Sequence, residues 1–450
     1  MASAFLLAAP HSGAGKTTVT LSLIAAFRAR GLRVQPFKAG PDYIDPAHHS
    51  LLAGRTSHNL DTWMIPPEAN RRIYSAAARD ADVSLVEGVM GLFDGVDGRR
   101  PEGSSADLAA LLGLPVVLVV DARSMARSAA ALVHGFATYD PAVRLAGVIW
   151  NRVGSPSHCR ILDEALADRG LPGSFGVVPR EAAAVLPERH LGLVTPEDAG
   201  LSAELAPGLA RLAEDHLDRD RLLRATARPA PQGEPPDPRS SPRVPRRRIG
   251  VPRDAAFCFY YRENLSLLED AGAEMVTFRP VEGDGVPEGL DGLYLGGGYP
   301  EVHAERLSRN QAFREGVLAL HRRGAPVYAE CGGFMVLCEA LVDLEGSRHP
   351  MAGVFPAVAR MQDRRFQLGY REIEVRGIPR LEGLRARGHE FHYSRVEDMP
   401  EAVPRAFRCR SARGEVLPDE GYCLGRTLGG YVHLHFASNP ELPRRLFDLP

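Results

Sequence analysis

Apolar residues in the first half of the chain gather into short, nearly unbroken runs, with longer stretches of mixed polarity between them. The runs AFLLAAP (4–10), RVQPFKAG (33–40), VSLVEGV (83–89), PVVLVVDA (115–122) and LAGVIWNRV (145–153) are too short for independent helices. Their continuity predicts strands, several of them buried on both faces. Between them, segments such as KTTVTLSLIAAFRARG (16–31) repeat apolar residues at helical spacing. Strand and helix alternating in this way predict a parallel, doubly wound α/β sheet. The rhythm stops at TARPAPQGEPPDPRSSPRVPRR (226–247), where proline recurs and apolar side chains nearly vanish. Such a segment cannot bury enough surface to fold, and it predicts a semi-rigid linker between domains spanning 1–225 and 248–450. Beyond it the rhythm resumes with IGVPR, EMVTFRP, GLYLGGG and APVYAEC as strands, then gives way to extended segments.

Composition narrows the class. With 44% apolar and 24% charged residues over 450 positions, the chain has the make-up of a globular protein large enough for two cores. A net charge of −2 supplies no attraction to nucleic acid or to an anionic membrane. No apolar run approaches the roughly 18 residues that a membrane span needs, and the first run lacks the length and positive flank of a signal peptide. Six cysteines without a CxxC pair point to reduced thiols and a cytoplasmic location.

One compositional feature bears on chemistry. Of 54 lysines and arginines only two are lysines, Lys16 and Lys38. Arginine replaces lysine wherever only charge matters, but a compact ammonium and a planar guanidinium are not interchangeable against phosphate. Lys16 lies in PHSGAGKTT, after a strand and at the start of a helix, which is the context of a phosphate-binding loop. Ser12, Gly13, Ala14, Gly15, Lys16, Thr17 and Thr18 are thus expected to bind a nucleotide, with Thr17 on Mg²⁺. Pro10 stands where the full loop pattern asks for glycine. By the same reasoning Lys38, at the end of the second strand, should enter the same cleft. Acids gather around it, and strand ends of an open α/β sheet converge on one edge. Thr17, Asp45 and Glu87 are the expected metal ligands. The surplus acids Asp42, Asp61 and Asp94 are candidates for substrate contact. His48 and His49 read as a solvated loop pair.

The second half carries a different chemistry. APVYAECGGFMVL places Cys331 between a strand and a Gly-Gly helix start, where a nucleophile can be exposed on a strained turn and the helix N-terminus favours its thiolate. His433 and His435, two apart on an expected strand, are both candidate bases. The turn in GLYLGGGYPE supplies Gly297 and Gly298 as oxyanion donors, with Gly332 after the cysteine. Cys338 reads as a core residue on the following helix. GHEFHY (388–393) is one residue short of a zinc-protease motif, which excludes that activity.

The cysteine turn, the upstream GGGxPE and the downstream histidine strand resemble class I glutamine amidotransferase domains. The first half resembles the dethiobiotin synthetase type of P-loop domain. Both in this order, with FKAGPDYIDP, NLDTWM, VEGVMGLFDG, AFCFYYRENL, GHEFHYS and YVHLHFASNP, resemble the cobyrinic acid or hydrogenobyrinic acid a,c-diamide synthase family over nearly the whole chain. The resemblance implies an N-terminal P-loop sheet and a C-terminal amidotransferase-like sheet. It implies ATP, Mg²⁺, glutamine and a corrinoid or related tetrapyrrole carboxylate as ligands, Cys331 as nucleophile and His433 as base, with His435 in reserve. The triad glutamate of other amidotransferases, two residues after the histidine, is replaced by His435; the resemblance implies a Cys–His dyad, in keeping with that absence, and leaves open what orients His433. A homodimer is compatible with this reading. A nickel-sirohydrochlorin a,c-diamide synthase would share the machinery. A ParA/MinD-like ATPase switch would not need the cysteine turn, and His11 stands where that group carries its signature lysine.

Overall fold

The computed structural model of the chain describes residues 2–180, 205–230, 247–364 and 367–450. The chain divides into two compact units, Met1–Pro238 and Arg239–Pro450.

In the first unit the strands are β1 (Ala2–Ala8), β2 (Val34–Ala39), β3 (His58–Leu60), β4 (Val83–Glu87), β5 (Val116–Asp121), β6 (Leu145–Val153), β7 (Ser174–Pro179) and β8 (Ala227–Arg228). They form one sheet in the order β3-β2-β4-β1-β5-β6-β7, all parallel, with β8 antiparallel against β1. The unbroken apolar runs follow from this arrangement. Phe5 and Leu7 enter the core on one face, while Ala4, Leu6 and Ala8 enter the core on the other. Val117 and Val119 alternate in the same way with Val116, Leu118 and Val120. Each successive side chain meets a hydrophobic layer, so no position calls for a polar residue.

The expected linker begins too early. Ala227 and Arg228 pair with Ser3 and Ala2, and the Thr226 hydroxyl meets the Ser3 hydroxyl at 2.5 Å. Ala227 and Arg228 are therefore part of the first sheet and Thr226 is bonded to it, through pairing that a proline-rich composition does not reveal. Arg247 already belongs to the second unit's first strand. Residues 231–246, the centre of the linker reading, lie outside the described residues.

The second unit opens with β9 (Arg247–Pro252), β10 (Ala273–Phe278), β11 (Gly292–Leu295) and β12 (Val327–Glu330). After them come β13 (Cys338–Val342), β14 (Arg348–Pro350), β15 (Phe355–Met361), β16 (Gln367–Val375) and β17 (Arg385–His392). The last are β18 (Ser394–Glu397), β19 (Arg405–Ser411), β20 (Glu420–Leu424), β21 (Thr427–Gly430) and β22 (His433–Leu434). The main sheet runs β10-β9-β11-β12-β21-β20-β19-β16-β17-β22, and β14-β13-β15-β18 form a smaller one. Only the stretch from β10 to β21 is parallel. From β21 onward the pairing is antiparallel, so the C-terminal half of this sheet curls back through hairpins rather than being doubly wound. β12 and β21 are parallel neighbours, which brings the residues just beyond both strands to one edge. Cys338 is buried as expected, but it starts β13 rather than lying on the helix.

Candidate active sites

The first site lies at the C-terminal edge of β1, β2 and β4. α1 (Lys16–Ala29) begins directly after the glycine loop, and the N–H groups of its first turn have no partner inside the helix. Gly13 and Gly15 adopt φ of +77° and +100°. A Cβ on Gly15 would run into the Asn151 amide, which itself donates to Ala14 O at 2.8 Å. The loop is thereby held against the end of β6, with Arg152 donating to Gly13 O (3.1 Å) and to Asp121 (2.7 Å). Arg152 also lines an open cleft with Arg123, Ser124, Gly154, His158 and Arg180. The sequence reading passed over Asn151 and Arg152. Their signal was the polar pair closing an otherwise apolar strand.

Lys16 donates to Met90 O (2.5 Å) and His11 O (3.4 Å). Burial, and then the neighbouring Lys38 charge, lower its pKa to about 8. Ser12 and Gly13 are exposed, and Thr17 and Thr18 are half-buried. Glu87, fully buried, is the hub. Its Oε1 accepts from Thr17 Oγ1 at 2.7 Å and from Lys38 Nζ at 3.1 Å, while its Oε2 meets His49 Nε2 at 2.7 Å. Burial alone would raise the Glu87 carboxyl, but the Lys38 charge and the His49 and Thr17 hydrogen bonds outweigh it and hold it below the ordinary range. Lys38 is also ion-paired with Asp45, and Asp42 Oδ2 lies 3.7 Å away. These anions more than offset its burial and raise its pKa. Lys16, Thr17 and Lys38 thus converge on one cleft.

Two readings change here. His48 and His49 are not solvated: both belong to α2 (Ile44–Ala53) and are almost fully buried. They turn inward because α2 lays that face over the end of β2, and burial lowers the His48 pKa to about 4. Asp61 is buried, and its Oδ1 accepts from the Trp63 and Met64 N–H groups at 2.8 and 2.6 Å. That carboxylate organises a turn, not a substrate surface. Asp42 likewise accepts from Ile44 and Asp45 N–H with one oxygen, leaving the other toward Lys38. Asp94 accepts from Gly91 N (2.9 Å) and lies close enough to act on Lys16.

Among the described residues no group of three or more His, Cys, Asp or Glu side chains encloses a metal. The donors present, the Thr17 hydroxyl and the Glu87 and Asp45 carboxylates, are hard oxygens in contact with one another or with Lys38. They fit Mg²⁺, which takes few protein ligands and completes its shell with phosphate oxygens and water.

The second site is built around β12. Cys331 follows it with φ +49° and ψ −106°, a strained conformation for a residue with a side chain. Its N–H donates to Gly430 O at 2.7 Å, tying it to the end of β21. A Cβ on Gly333 would run into Leu295 O, so only glycine lets the next helix start this close to β11. A Cβ on Gly332 would lie 3.1 Å from Gly298 N, and one on Gly297 would lie 3.4 Å from His433 Nε2. The glycine turn therefore touches both the cysteine's neighbour and the histidine. β17 closes the other side: Phe391 O faces the Cys331 thiol at 3.9 Å, and His389 pairs across the ladder with His433, their rings stacked at 4.9 Å. GHEFHY, set aside as a metal motif, lines this site.

Burial, and then Glu301, push the Cys331 thiol up. The expected bias toward thiolate is thus absent at rest, because burial outweighs the Gly332 N–H, which pulls the thiol down. Burial, and then His392, lower the His433 pKa to about 3. The resting pair is neutral thiol and neutral imidazole. His435 faces elsewhere, its Nε2 4.0 Å from Glu263 and its ring against Tyr261. β22 is only two residues long, so the two histidines do not share a strand face. On the far side of His433, Nδ1 lies 3.9 Å from Glu330 Oε2, a carboxylate hidden in the sequence as part of an apolar strand.

Residues 248–441 match the CobB/CobQ-like glutamine amidotransferase domain family, and residues 5–194 match the CobQ/CobB/MinD/ParA nucleotide binding domain family. Over 98% of this chain and 97% of the relative, the sequence is 46% identical to a cobyrinate a,c-diamide synthase of Syntrophotalea carbinolica. It is 41% identical to the protein of that name in Priestia megaterium, over 97% of this chain and 95% of the relative. It is 42% identical to a hydrogenobyrinate a,c-diamide synthase of Streptomyces coelicolor, over 98% of this chain and 96% of the relative. Likeness of this degree along the full length of both domains, in the order in which the two sites occur, places the chain in the cobyrinate and hydrogenobyrinate a,c-diamide synthase family.

Proposed function

We propose that this protein is a ligase that amidates the a and c acetate side chains of cobyrinic or hydrogenobyrinic acid in cobalamin biosynthesis, using ATP and glutamine. The observation that carries the reading is the pairing in one chain of a phosphate loop facing Lys38 and Glu87 with a strained cysteine and a buried histidine that border the same glycine turn, Gly332 against Gly298 and His433 against Gly297. The first is suited to activating a carboxylate, and the second to releasing ammonia.

In the second unit the Cys331 proton passes to His433 as sulfur attacks the glutamine carboxamide. The N–H groups of Gly298 and Gly332 receive the oxyanion, whereas Gly297, the third expected donor, already gives its N–H to Phe259 O at 3.2 Å. The C–N bond then breaks, His433 returns the proton to the departing ammonia, and water releases glutamate from the thioester. In the first unit the loop from Ser12 to Thr18 holds the ATP phosphates, and Lys16 and Lys38 neutralise the transferring group. Thr17 and Glu87, with Asp45, would hold Mg²⁺, which would supply positive charge to offset that of the phosphates. Lys38 is released from Asp45 when phosphate offers it a new partner. The substrate carboxylate becomes an acyl phosphate, which ammonia converts to the amide with loss of phosphate. Asp42 and Asp94 remain the substrate candidates near the cleft. Nickel-sirohydrochlorin is not favoured as acceptor, since relatives at 39–46% identity are named for cobyrinate or hydrogenobyrinate.

The test is a mass spectrum of products after incubation with ATP, Mg²⁺, glutamine and each ring acid. Two successive exchanges of hydroxyl for amino on cobyrinic or hydrogenobyrinic acid are expected. Amidation of nickel-sirohydrochlorin alone would change the acceptor. ATP- and glutamine-independent behaviour toward every ring would overturn the reading.

A further inference from the structure

Glu330 precedes the nucleophile directly and is fully buried, yet nothing in the chemistry above uses it. Its Oε1 accepts from Tyr328 OH (2.8 Å) and from the backbone N–H of Leu434 (3.0 Å), and its Oε2 accepts from Tyr294 OH (2.9 Å). Leu434 is the residue after His433, and its carbonyl accepts from Asn264 Nδ2 at 2.7 Å. The backbone beside the imidazole is thus pinned from both sides, and Glu330 supplies one of the pins. The same carboxylate faces the ring, with Oε2 3.9 Å from His433 Nδ1. Nε2 points the other way, toward Gly297 and the glycine turn that also borders Gly332.

We infer that Glu330 is the positioning residue for His433: it holds the ring with Nδ1 protonated and Nε2 unprotonated, in the state that takes the Cys331 proton, and it stabilises the imidazolium formed as the thiolate attacks. In this chain the orienting carboxylate comes from the residue before the nucleophile, whereas the position two residues after the histidine is taken by His435. The inference rests on the reading of Cys331 and His433 as the glutaminase pair.

The geometry explains why a carboxylate is needed in so apolar a place. A buried anion is costly unless hydrogen bonds and an opposite charge compensate it. Three donors satisfy Glu330 at rest, and the remaining compensation arrives only when His433 is protonated, which favours the charged intermediate over the resting state. The proton inventory balances: the thiol proton moves to Nε2 and leaves with ammonia, and the Nδ1 proton stays in place facing Glu330 throughout.

The titratable groups around the pair are few. Tyr294 of β11 and Tyr328 of β12 face Glu330, and Asn264 Nδ2 reaches Tyr294 OH at 3.4 Å. His389 of β17 stacks on His433, and its Nδ1 is 2.9 Å from Tyr261 OH. Glu390 and His392 of the same strand act on His433 at longer range, with Glu390 held by Arg371 of β16 at 2.6 Å. Burial pushes the Glu330 carboxyl up to about 7. The acid limb of the glutaminase profile is therefore expected to follow the Glu330 carboxyl, whose charged form faces His433 Nδ1.

The test is Glu330→Gln in the full-length chain, assayed for glutaminase and, separately, for ammonia-dependent amidation. The carboxamide oxygen can replace Oε1 as acceptor from Tyr328 and Leu434, and its NH₂ can donate to the Tyr294 oxygen in place of the bond that Tyr294 OH gave to Oε2, so the fold should be retained. That NH₂ then faces Nδ1 and favours the opposite tautomer, with the proton on Nε2. A triad carboxylate bonded directly to its histidine is worth about 10⁴ in kcat. At 3.9 Å a loss of roughly 10- to 100-fold in glutaminase kcat is expected, with KM for glutamine and ammonia-dependent amidation unchanged. The acid limb of kcat/KM should move to lower pH, because only His433, held low by burial, remains to titrate. An unchanged kcat, or a loss without movement of the limb, would overturn the inference. If Gln is not tolerated, Glu330→Asp reads the same quantity. It should lower kcat while leaving the limb near its wild-type pH, and a limb displaced downward would count against the charge. Cys331→Ala serves as the control: wild-type glutaminase that survives it would mean the site itself is misread, a failure separate from that of Glu330.

Discussion

Replacing Lys38 by arginine keeps the charge and changes only its shape, which makes it a sharp test of the nucleotide site. The Lys38 side chain is 5% exposed, and its ammonium touches Glu87 Oε1 (3.1 Å), Asp45, Asp42 Oδ2 (3.7 Å) and Gly88 O (3.5 Å). A guanidinium is bulkier and planar, and it cannot take that place unless Glu87 or Asp45 moves. Glu87 has little freedom to move, being held by Thr17 and His49 at 2.7 Å each. Overfilling a packed site typically costs about 1–3 kcal/mol. If that cost is relieved by displacing Glu87 or Thr17, the competent arrangement becomes rarer by about 5- to 150-fold, at tenfold per 1.4 kcal/mol. ATP turnover with the ring acid should fall by that factor, while glutaminase, located in the other unit, should not change. Both are measured on one preparation, by coupled ADP release and by glutamate formation. Wild-type ATP turnover in Lys38→Arg would refute the argument that a compact ammonium is required there. Lys38→Met is the poorer experiment. It leaves Asp45 and Glu87 facing each other without a cation, and breaking a buried ion pair in this way costs about 3–5 kcal/mol, so lost activity would not be separable from lost stability.

Cys331→Ala should abolish glutamine-dependent amidation and leave ammonia-dependent amidation intact, measured as product formed with either nitrogen source. Equal loss of both would refute the division of labour between the units. A pH effect on stability is expected from Glu420 of β20, which accepts from the Tyr431 N–H and whose carboxyl burial pushes up to about 8 against the pull of that hydrogen bond. With the folded pKa above the unfolded one, the folded state binds the extra proton between about 4.5 and 8, so stability falls as pH rises through that window. Glu420→Gln keeps an acceptor for Tyr431 without the charge. Its melting temperature should match wild type below the window and exceed it above, and a constant difference at all pH values would show that burial of the charge is not the cause.

What could be read from the sequence, and what could not, divides along physical lines. The parallel strands of both units were legible because burial on two faces leaves a continuous apolar run, as in PVVLVVDA, where successive valines enter opposite cores. The glycine loop and the cysteine turn were legible because each needs a backbone conformation that few residues allow, and the need shows in the residues themselves: Gly15 at φ +100°, and Gly333 against Leu295 O. The antiparallel part of the second sheet was not legible, since the pairing of Gly388 and His389 with Leu434 and His433 depends on residues far apart in the chain. Polar residues were misjudged for the same reason. His49 and Asp61 looked alike as polar residues near a loop, yet one completes the Glu87 network and the other caps a turn, a difference that lies wholly in what packs over them.

Glu330 is the instructive case. On sequence alone Glu330 carries no assignment within APVYAEC, because a charge in a core is expected to be paired and no partner is near in sequence. Its partners are Tyr294, Leu434 and His433, brought together only because β11, β12 and β21 are neighbours and the chain turns after β21. The residues that set the reaction's chemistry at this site are carried on local motifs, and those that hold them in register are carried on the topology. A buried charge at the end of a strand, beside a nucleophile turn, is therefore evidence of a positioning role that becomes visible once the strand order is known.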